Sequence, residues 1–391
     1  MKICFWIGSA YYRPGGTSKI VSVITGELAK NHDVDILIID KAGESRFEYD
    51  SAINIVRTNI VNAVYRRSKD NLKDYVNSSI RVINNKTGYF NTEKSVERLK
   101  EAFYPAKMRG EIADFLNTKN YDVIIATGSE IMWLATMHDQ LDAKLIGWQH
   151  NSYKSYFKRQ NILFWQKETI AQKYLPLLDD FVLLNEYDQQ EFDKMLGVKS
   201  TVIHNALTLT SDVKTNPAQK QFLMTGSLIR QKGVDTLLKA FQLFCEHNTE
   251  WKLIIAGEGK DRNELIKKIW QYKIQERVHM IGFTSNIKDY FLSSSVYLMS
   301  SRFEGWGLVV TEAFEMGLPV VAFNITPMDI IIDTGVNGII VEANNINHFT
   351  AAMLRLANDE KLREKMSEEA VKKAKNFNLD KIMGDWQNLV T

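Results

Sequence analysis

Short apolar runs alternate with stretches whose apolar positions recur every three or four residues, and this alternation organises most of the chain. In the first half, Ile3–Ile7 reads as a strand, and Thr17–Lys30 reads as a helix because Ile20, Val21, Ile24 and Leu28 share one face. Val34–Ile39, Ile53–Val56, Val123–Ala126 and Leu145–Gly147 continue the strand series. Between Asn62 and Asn120 the pattern loosens into polar, basic helices and excursions. Asn205–Gln221 is polar, carries Thr208, Thr210, Ser211, Asp212, Asn216 and Pro217, and reads as a linker. The alternation then restarts with Phe222–Thr225, a helix over Val234–Cys245, Lys252–Ala256, a helix over Arg262–Tyr272, and strands at Val278–Ile281, Val296–Met299 and Pro319–Ala322. A last helix is expected over Lys381–Val390, apolar at Ile382, Met383, Trp386 and Leu389.

Apolar strands separated by helices imply parallel sheets covered on both faces. A chain of 391 residues exceeds one ordinary core. The expected architecture is therefore α/β: two Rossmann-like, doubly wound domains facing each other across a cleft. Residues 1–205 and 206–375 form the two domains, and a helix within 376–391 packs back on the first. Open parallel sheets bind ligands at the carboxyl ends of their strands.

The most informative stretch runs from Ser301 to Pro319, after a strand and into a helix that Gly317 and Pro319 close. Gly305 and Gly307 let the backbone approach a ligand, and the amides of a helix start favour anionic oxygens. Glu304 precedes the helix and Glu312 lies inside it. Eight helical residues rise about 12 Å, a length comparable with a diphosphate flanked by a sugar and a ribose. One carboxylate can then accept hydroxyls of the sugar and the other those of the ribose. Gly226–Gly233 also follows a strand and precedes a helix, and its Arg230 and Lys232 can neutralise a diphosphate leaving group. Gly15-Gly16-Thr17 opens the first helix, and His150 follows a strand end.

These stretches resemble the family-4 retaining glycosyltransferases of GT-B fold, whose signature is a glutamate, seven residues and a second glutamate. The resemblance covers essentially the whole chain and is strongest from Gly226 to Gly338. It implies that Glu304 lies beside the donor sugar and Glu312 binds the ribose, with the amides of Trp306, Gly307 and Leu308 lining the sugar and diphosphate. Lys232 matches the lysine of the family's Gly-Arg-Leu…Lys-Gly element. Ser227 stands where the family has its arginine, and Arg230, three residues on, is the available substitute. Gly16 corresponds to a glycine whose amide meets the donor phosphate, His150 to a histidine near the donor sugar and reaction centre, and Ile281 and Phe283 to positions that hold the base. Asn205 resembles an interdomain asparagine and is read as structural.

The resemblance implies transfer of a hexose or N-acetylhexosamine, with net retention, from a nucleotide-diphosphate sugar, a uridine nucleotide foremost. The acceptor is a glycan or a polyprenyl-diphosphate-linked glycan of bacterial surface polysaccharide. A sugar-nucleotide epimerase of the same fold is the alternative. A nicotinamide oxidoreductase is disfavoured because neither Gly8 nor Gly15-Gly16 extends to a Gly-x-Gly-x-x-Gly pattern.

Composition narrows partners and compartment. Formal charge is 49 − 47 = +2, too small to point to nucleic acid. From Arg57 to Gly110, however, twelve Lys/Arg stand against five Asp/Glu. With Tyr153, Tyr156, Phe157, Lys158, Arg159 and Trp165 later, this fits an amphipathic side that meets an anionic membrane. No apolar run approaches the ~20 residues of a membrane span, and the first residues read as a strand, not a signal peptide. Cys4 and Cys245 have no ligand-like spacing and read as thiols of a reducing compartment. The expected location is cytoplasmic, at the inner face of the membrane. Asp33-Val34-Asp35 matches an Asp-x-Asp metal pattern but leads into a buried strand with no further ligand nearby, so neither a divalent metal nor any other cofactor is expected.

Overall fold

The computed structural model describes residues 1–12, 15–39, 48–58, 60, 72–160 and 163–391. Within them the chain divides into two compact units, Met1–His204 together with Met383–Thr391, and Asn205–Ile382.

Among the described residues the first unit holds a parallel sheet of seven strands: β1 (Lys2–Trp6), β2 (Asp33–Ile39), β3 (Asn54–Thr58), β4 (Val123–Thr127), β5 (Lys144–Trp148), β6 (Asp180–Leu183) and β7 (Ser200–Val202). Their order is β3-β2-β1-β4-β5-β6-β7. The second unit holds a parallel six-stranded sheet: β8 (Gln221–Thr225), β9 (Lys252–Ala256), β10 (Val278–Gly282), β11 (Val296–Met299), β12 (Val320–Phe323) and β13 (Gly338–Val341), in the order β10-β9-β8-β11-β12-β13. Each sheet is the doubly wound arrangement the alternation predicts. Its strand order reverses between the first and fourth strands of the unit, β1 and β4 in one and β8 and β11 in the other. Strands covered on both faces explain the unbroken apolar runs: Ile3, Cys4 and Phe5 of β1 and Phe222 and Leu223 of β8 have no exposed surface.

Three strands escaped the pattern reading. β7 has three residues, too few for periodicity to register, whereas β6 and β13 have four, the same length as β11 and β12, which the pattern did find. The loose region after Asn62 contains the helices Leu72–Thr87, Val96–Phe103 and Ala106–Asn117. Residues 59 and 61–71 of the basic segment lie outside the described residues.

Asn205–Gln221 is not a free linker. It runs along the helix Leu308–Glu315, where Thr215 N donates to Met316 O at 2.8 Å and Lys214 Nζ reaches Glu315 Oε1 at 2.7 Å. Thr208 and the Ser211 amide bond the same helix, at Glu312 and Glu315, while Thr210 and Asp212 are exposed. Asp35, half of the rejected metal pattern, is buried and accepts from Tyr121 Oη at 2.7 Å and Asn54 Nδ2 at 3.1 Å. Its carboxylate is a structural acceptor within the sheet. The helix Leu379–Val390 begins in the second unit and ends in the first. Within the first unit Trp386 packs edge-on against Trp148 with centroids 4.6 Å apart, and Lys144 Nζ donates to Leu389 O at 2.6 Å.

Candidate functional site

In the second unit the two informative loops leave neighbouring strands on either side of the reversal point. Gly226–Gly233 follows β8, and Ser300–Gly307 follows β11. The first loop ends in a turn of 3-10 helix, Arg230–Lys232, and Gly233 opens the helix Val234–Cys245. Gly233 has φ +63°, and a Cβ there would lie 2.0 Å from Ser300 O, so no other residue lets the loops approach this closely.

That approach lets the β11 loop cap every carbonyl of the cationic turn. Arg302 Nη1 donates to Arg230 O at 2.5 Å, Arg302 N to Gln231 O at 2.8 Å, and Ser300 Oγ to Lys232 O at 2.9 Å. The Arg302 guanidinium is held in turn by Asp235 through two bonds of 2.9 and 2.8 Å, and by Thr236 Oγ1 at 3.0 Å. Burial opposes the Asp235 charge, but the guanidinium outweighs it and keeps the carboxyl below its usual range. A planar fork on a carboxylate resists rotation better than a lysine contact. The turn is thereby fixed relative to the acid-bearing loop.

The outcome is one short contact. Lys232 Nζ lies 2.6 Å from Glu304 Oε1, and Glu304 is only 9% exposed. The cation and the first glutamate named from the sequence are thus a partly buried ion pair, where attraction is far stronger than at a wet surface. Arg230 differs. Its side chain is exposed and lines a recess of about 280 Å³ with Asp235, Lys260 and Glu264. Lys232 alone is brought onto the acid.

Glu312 lies on the helix Leu308–Glu315, is buried, and accepts from Thr208 Oγ1 at 2.5 Å. The helix starts behind Gly307 (φ +103°), where a Cβ would come within 2.7 Å of Met328 Cε. Val310 N bonds back to Gly307 O at 2.8 Å, and the helix begins with the amides of Leu308 and Val309, the electropositive end of its dipole. Trp306 is buried, with its ring 5.6 Å from that of Phe377. It contributes backbone, not an exposed ring, to the helix start.

Ile281 is half-buried near the end of β10, whereas Phe283 just beyond is 58% exposed. β10 is three places from β11 in the sheet. With strands ~4.8 Å apart, the row of tips from Phe283 to Glu304 covers roughly 14 Å.

The other named residues lie in the first unit. Gly16 is the first residue of the helix Gly16–Leu28, behind an extended Gly15; residues 13 and 14 of this turn lie outside the described residues. His150 follows β5, is buried, and stacks 4.4 Å from Trp148. Burial lowers its pKa to about 3, so the imidazole is neutral at physiological pH. Among the described residues, Trp148 Nε1, Gln149 Nε2 and His150 Nε2 are buried without a hydrogen-bond partner. No group of three or more His, Cys, Asp or Glu that could hold a metal ion occurs among the described residues.

Sequence reasoning missed Arg302, Asp235 and Thr208. Each is polar and unremarkable alone, and its partner lies 67 to 104 residues away.

Comparisons with known proteins bear on the fold and on the second unit. The family model described as "Glycosyl transferases group 1" matches residues 209–373, the segment that holds both loops. An uncharacterized glycosyltransferase of Haemophilus influenzae is 27% identical over 98% of this chain and 97% of its own length. The amylovoran biosynthesis glycosyltransferase AmsD of Erwinia amylovora is 28% identical over 55% of this chain and 62% of its own. Among solved structures, TarM aligns over 100% of this chain and 98% of its own, with a TM-score of 0.75 at 16% identity. Anabaena HepE in complex with UDP aligns over 100% and 99%, with a TM-score of 0.73 at 15% identity. The chain therefore has the GT-B fold, and its second unit carries the group 1 glycosyl transferase sequence pattern.

Proposed function

We propose that this protein is a retaining, metal-independent glycosyltransferase that moves a hexose or N-acetylhexosamine from a UDP-linked donor to a glycan or lipid-linked acceptor in bacterial surface-polysaccharide synthesis. The observation that carries the reading is the Lys232–Glu304 pair at the reversal point of the second sheet, with Glu312 on the helix that follows. Two of its relatives are named as glycosyltransferases, one of them for amylovoran biosynthesis, and HepE was solved with UDP. Those names favour transfer over the epimerase alternative.

Lys232 and Glu304 bond each other. A bound donor exchanges partners: Lys232 turns to the diphosphate, Glu304 accepts a hydroxyl of the sugar, and Glu312 accepts from the ribose in place of Thr208. The helix start at Leu308 faces the phosphates. The bond from C1 to the phosphate oxygen breaks, its electron pair leaves with the diphosphate, and Lys232 stabilises the growing charge. The acceptor hydroxyl adds to C1 from the face the diphosphate leaves, and its proton passes to a departing phosphate oxygen. This route retains configuration without a protein nucleophile, unlike the paired-carboxylate hydrolases. His150, neutral, serves the sugar side of the reaction as a hydrogen-bonding group, Gly16 offers an amide to the phosphate, and Ile281 and Phe283 flank the base. Lys232 supplies the counter-charge a metal would otherwise bring, with Arg230 as the second cation in place of the arginine absent at Ser227. A nucleotide-sugar donor places the reaction in the cytoplasm.

A thermal-shift panel of nucleotide sugars tests the reading. A cognate donor at 100 times its Kd stabilises by about 2.7 kcal/mol, and transfer then proceeds unchanged in EDTA. No shift with any nucleotide sugar, or an altered free sugar released without acceptor, would sink it.

A further inference from the structure

The helix Leu72–Thr87 in the first unit turns large apolar residues outward. The side that packs on its own unit carries amides and a guanidinium beside one core residue, Ile80. Asn77 and Asn84 are buried, Asn84 Nδ2 donates to Gln166 O at 2.6 Å and its Oδ1 accepts from Phe90 N at 3.0 Å, and Arg81 Nη1 donates to Ala102 O at 2.7 Å. The outward side carries Tyr75, Val76, Val82 and Ile83, 69%, 42%, 52% and 44% exposed. Tyr75, Ser79, Val82 and Lys86 form one row at helical spacing, and Val76 and Ile83 form the adjoining row. Two hydroxyls on this side turn back onto the helix: Ser79 Oγ donates to Tyr75 O at 3.0 Å and Thr87 Oγ1 to Ile83 O at 2.8 Å. Beside these apolar positions the outward side keeps the exposed polar residues Ser78 and Lys86.

A helix that only covers a soluble core has the opposite arrangement. A contiguous outward apolar face marks an interaction surface. We propose that this face is a membrane-docking ridge, which lies in the interface of an anionic bilayer without spanning it. Three observations select a membrane as the occupant. The surface is the convex side of a helix, running about 16 Å from Tyr75 to Lys86, which suits a planar fluid partner better than a rigid groove. Tyr75 and Tyr89, the latter 72% exposed, lie at its two ends, and tyrosine rings favour the headgroup level. From residue 75 to residue 92 the chain has no Asp or Glu, while Lys86 lies on the ridge and Lys94 and Arg98 are exposed just beyond. That charge complements anionic headgroups.

This assignment differs from the one suggested by the sequence. Tyr153, Tyr156 and Phe157, expected on a membrane-facing side, are buried in the first unit's core. Much of the basic excess is also used internally. Arg109 is buried on Tyr104 O and Thr136 O, Lys100 bonds Tyr174 and Glu97, and Arg57 lies over Tyr11. Among the described residues, apolar contact with a few cations beside it is what remains for a bilayer.

The inference does not depend on the donor site, and its test separates the two. Full-length protein is floated through a density gradient with phosphatidylcholine vesicles, with and without phosphatidylglycerol. The unaltered chain should rise with the mixed vesicles. A Val82→Ser/Ile83→Ser variant should partition roughly tenfold or more weakly, and Lys86→Gln roughly fivefold more weakly, in a salt-sensitive way. Both should keep their melting temperature and their nucleotide-sugar thermal shift, since neither residue packs inward. Failure of the unaltered chain to float, or equal flotation of the double variant, would overturn the proposal. A dimer in sedimentation that the double variant dissolves would assign the ridge to a second copy of the chain instead.

Discussion

The two sheets share one strand order, yet their reversal points are furnished in opposite ways. At the second unit's reversal point charges meet charges: Lys232 on Glu304 and Arg302 on Asp235, with Thr208 on Glu312 alongside. In the first unit, one strand away from its reversal point, Trp148, Gln149 and His150 leave three buried nitrogens unbonded, and the histidine is neutral. On the proposed function, one topology serves two kinds of contact. The ion pair can exchange partners with a charged ligand at little net electrostatic cost, and the neutral buried nitrogens can bond the hydroxyls of a sugar. The side chains placed on the strand tips decide the chemistry.

The contrast is broken most directly at Glu304. Glu304→Ala removes the sugar contact and strands Lys232 in a partly buried site, and turnover should fall by 10²–10³-fold in a donor-saturated transfer assay. Near-normal turnover in a folded variant would leave the second unit without its proposed chemistry. Arg302→Lys tests whether the guanidinium acts through the cationic turn. It loses the fork on Asp235 and should cost about tenfold in kcat/KM, with a melting temperature close to that of the unaltered chain. Asp235→Asn should give a similar loss, and the double variant little more, because both act on one device. Gly233→Ala should destabilise by about 2 kcal/mol or more in urea, because its Cβ would strike a backbone carbonyl in a left-handed conformation.

The smallest effect lies on the neutral side. His150 titrates near 3 in the fold against about 6.5 in an unfolded chain. Its contribution is complete above the unfolded value and is lost as pH falls toward the folded one. Between about pH 6.5 and 5.5 the unaltered chain should lose roughly 1 kcal/mol from this group. His150→Asn should flatten that part of the acid limb in paired denaturation curves at the two pH values.

What could be read in advance follows from what is local. β1, β8 and β11 were legible as apolar runs because both faces are covered, and the Glu304 loop was legible because its glycines, acids and following helix lie within twenty residues. The Arg302–Asp235 fork and the Thr208–Glu312 bond were not, because they join segments that only the folded sheet brings together. The same limit misplaced Asn205–Gln221: threonines, serine and asparagine read as linker residues until a helix with carboxylates is set beside them. The membrane-facing side was misplaced for a related reason. Aromatic residues among lysines look amphipathic in one dimension, and only their burial shows that Tyr153 and Phe157 face inward.

The division inside the helix Leu379–Val390 has a consequence for biosynthesis. Trp386 and Val390 are core residues of the unit whose first strand is Lys2–Trp6, and almost the whole of the other unit is translated between them. The domain that leaves the ribosome first must wait, with Trp148 uncovered, until residues 383–391 emerge. Nascent chains stalled before residue 383 should therefore recruit holdase chaperones to the amino-terminal half.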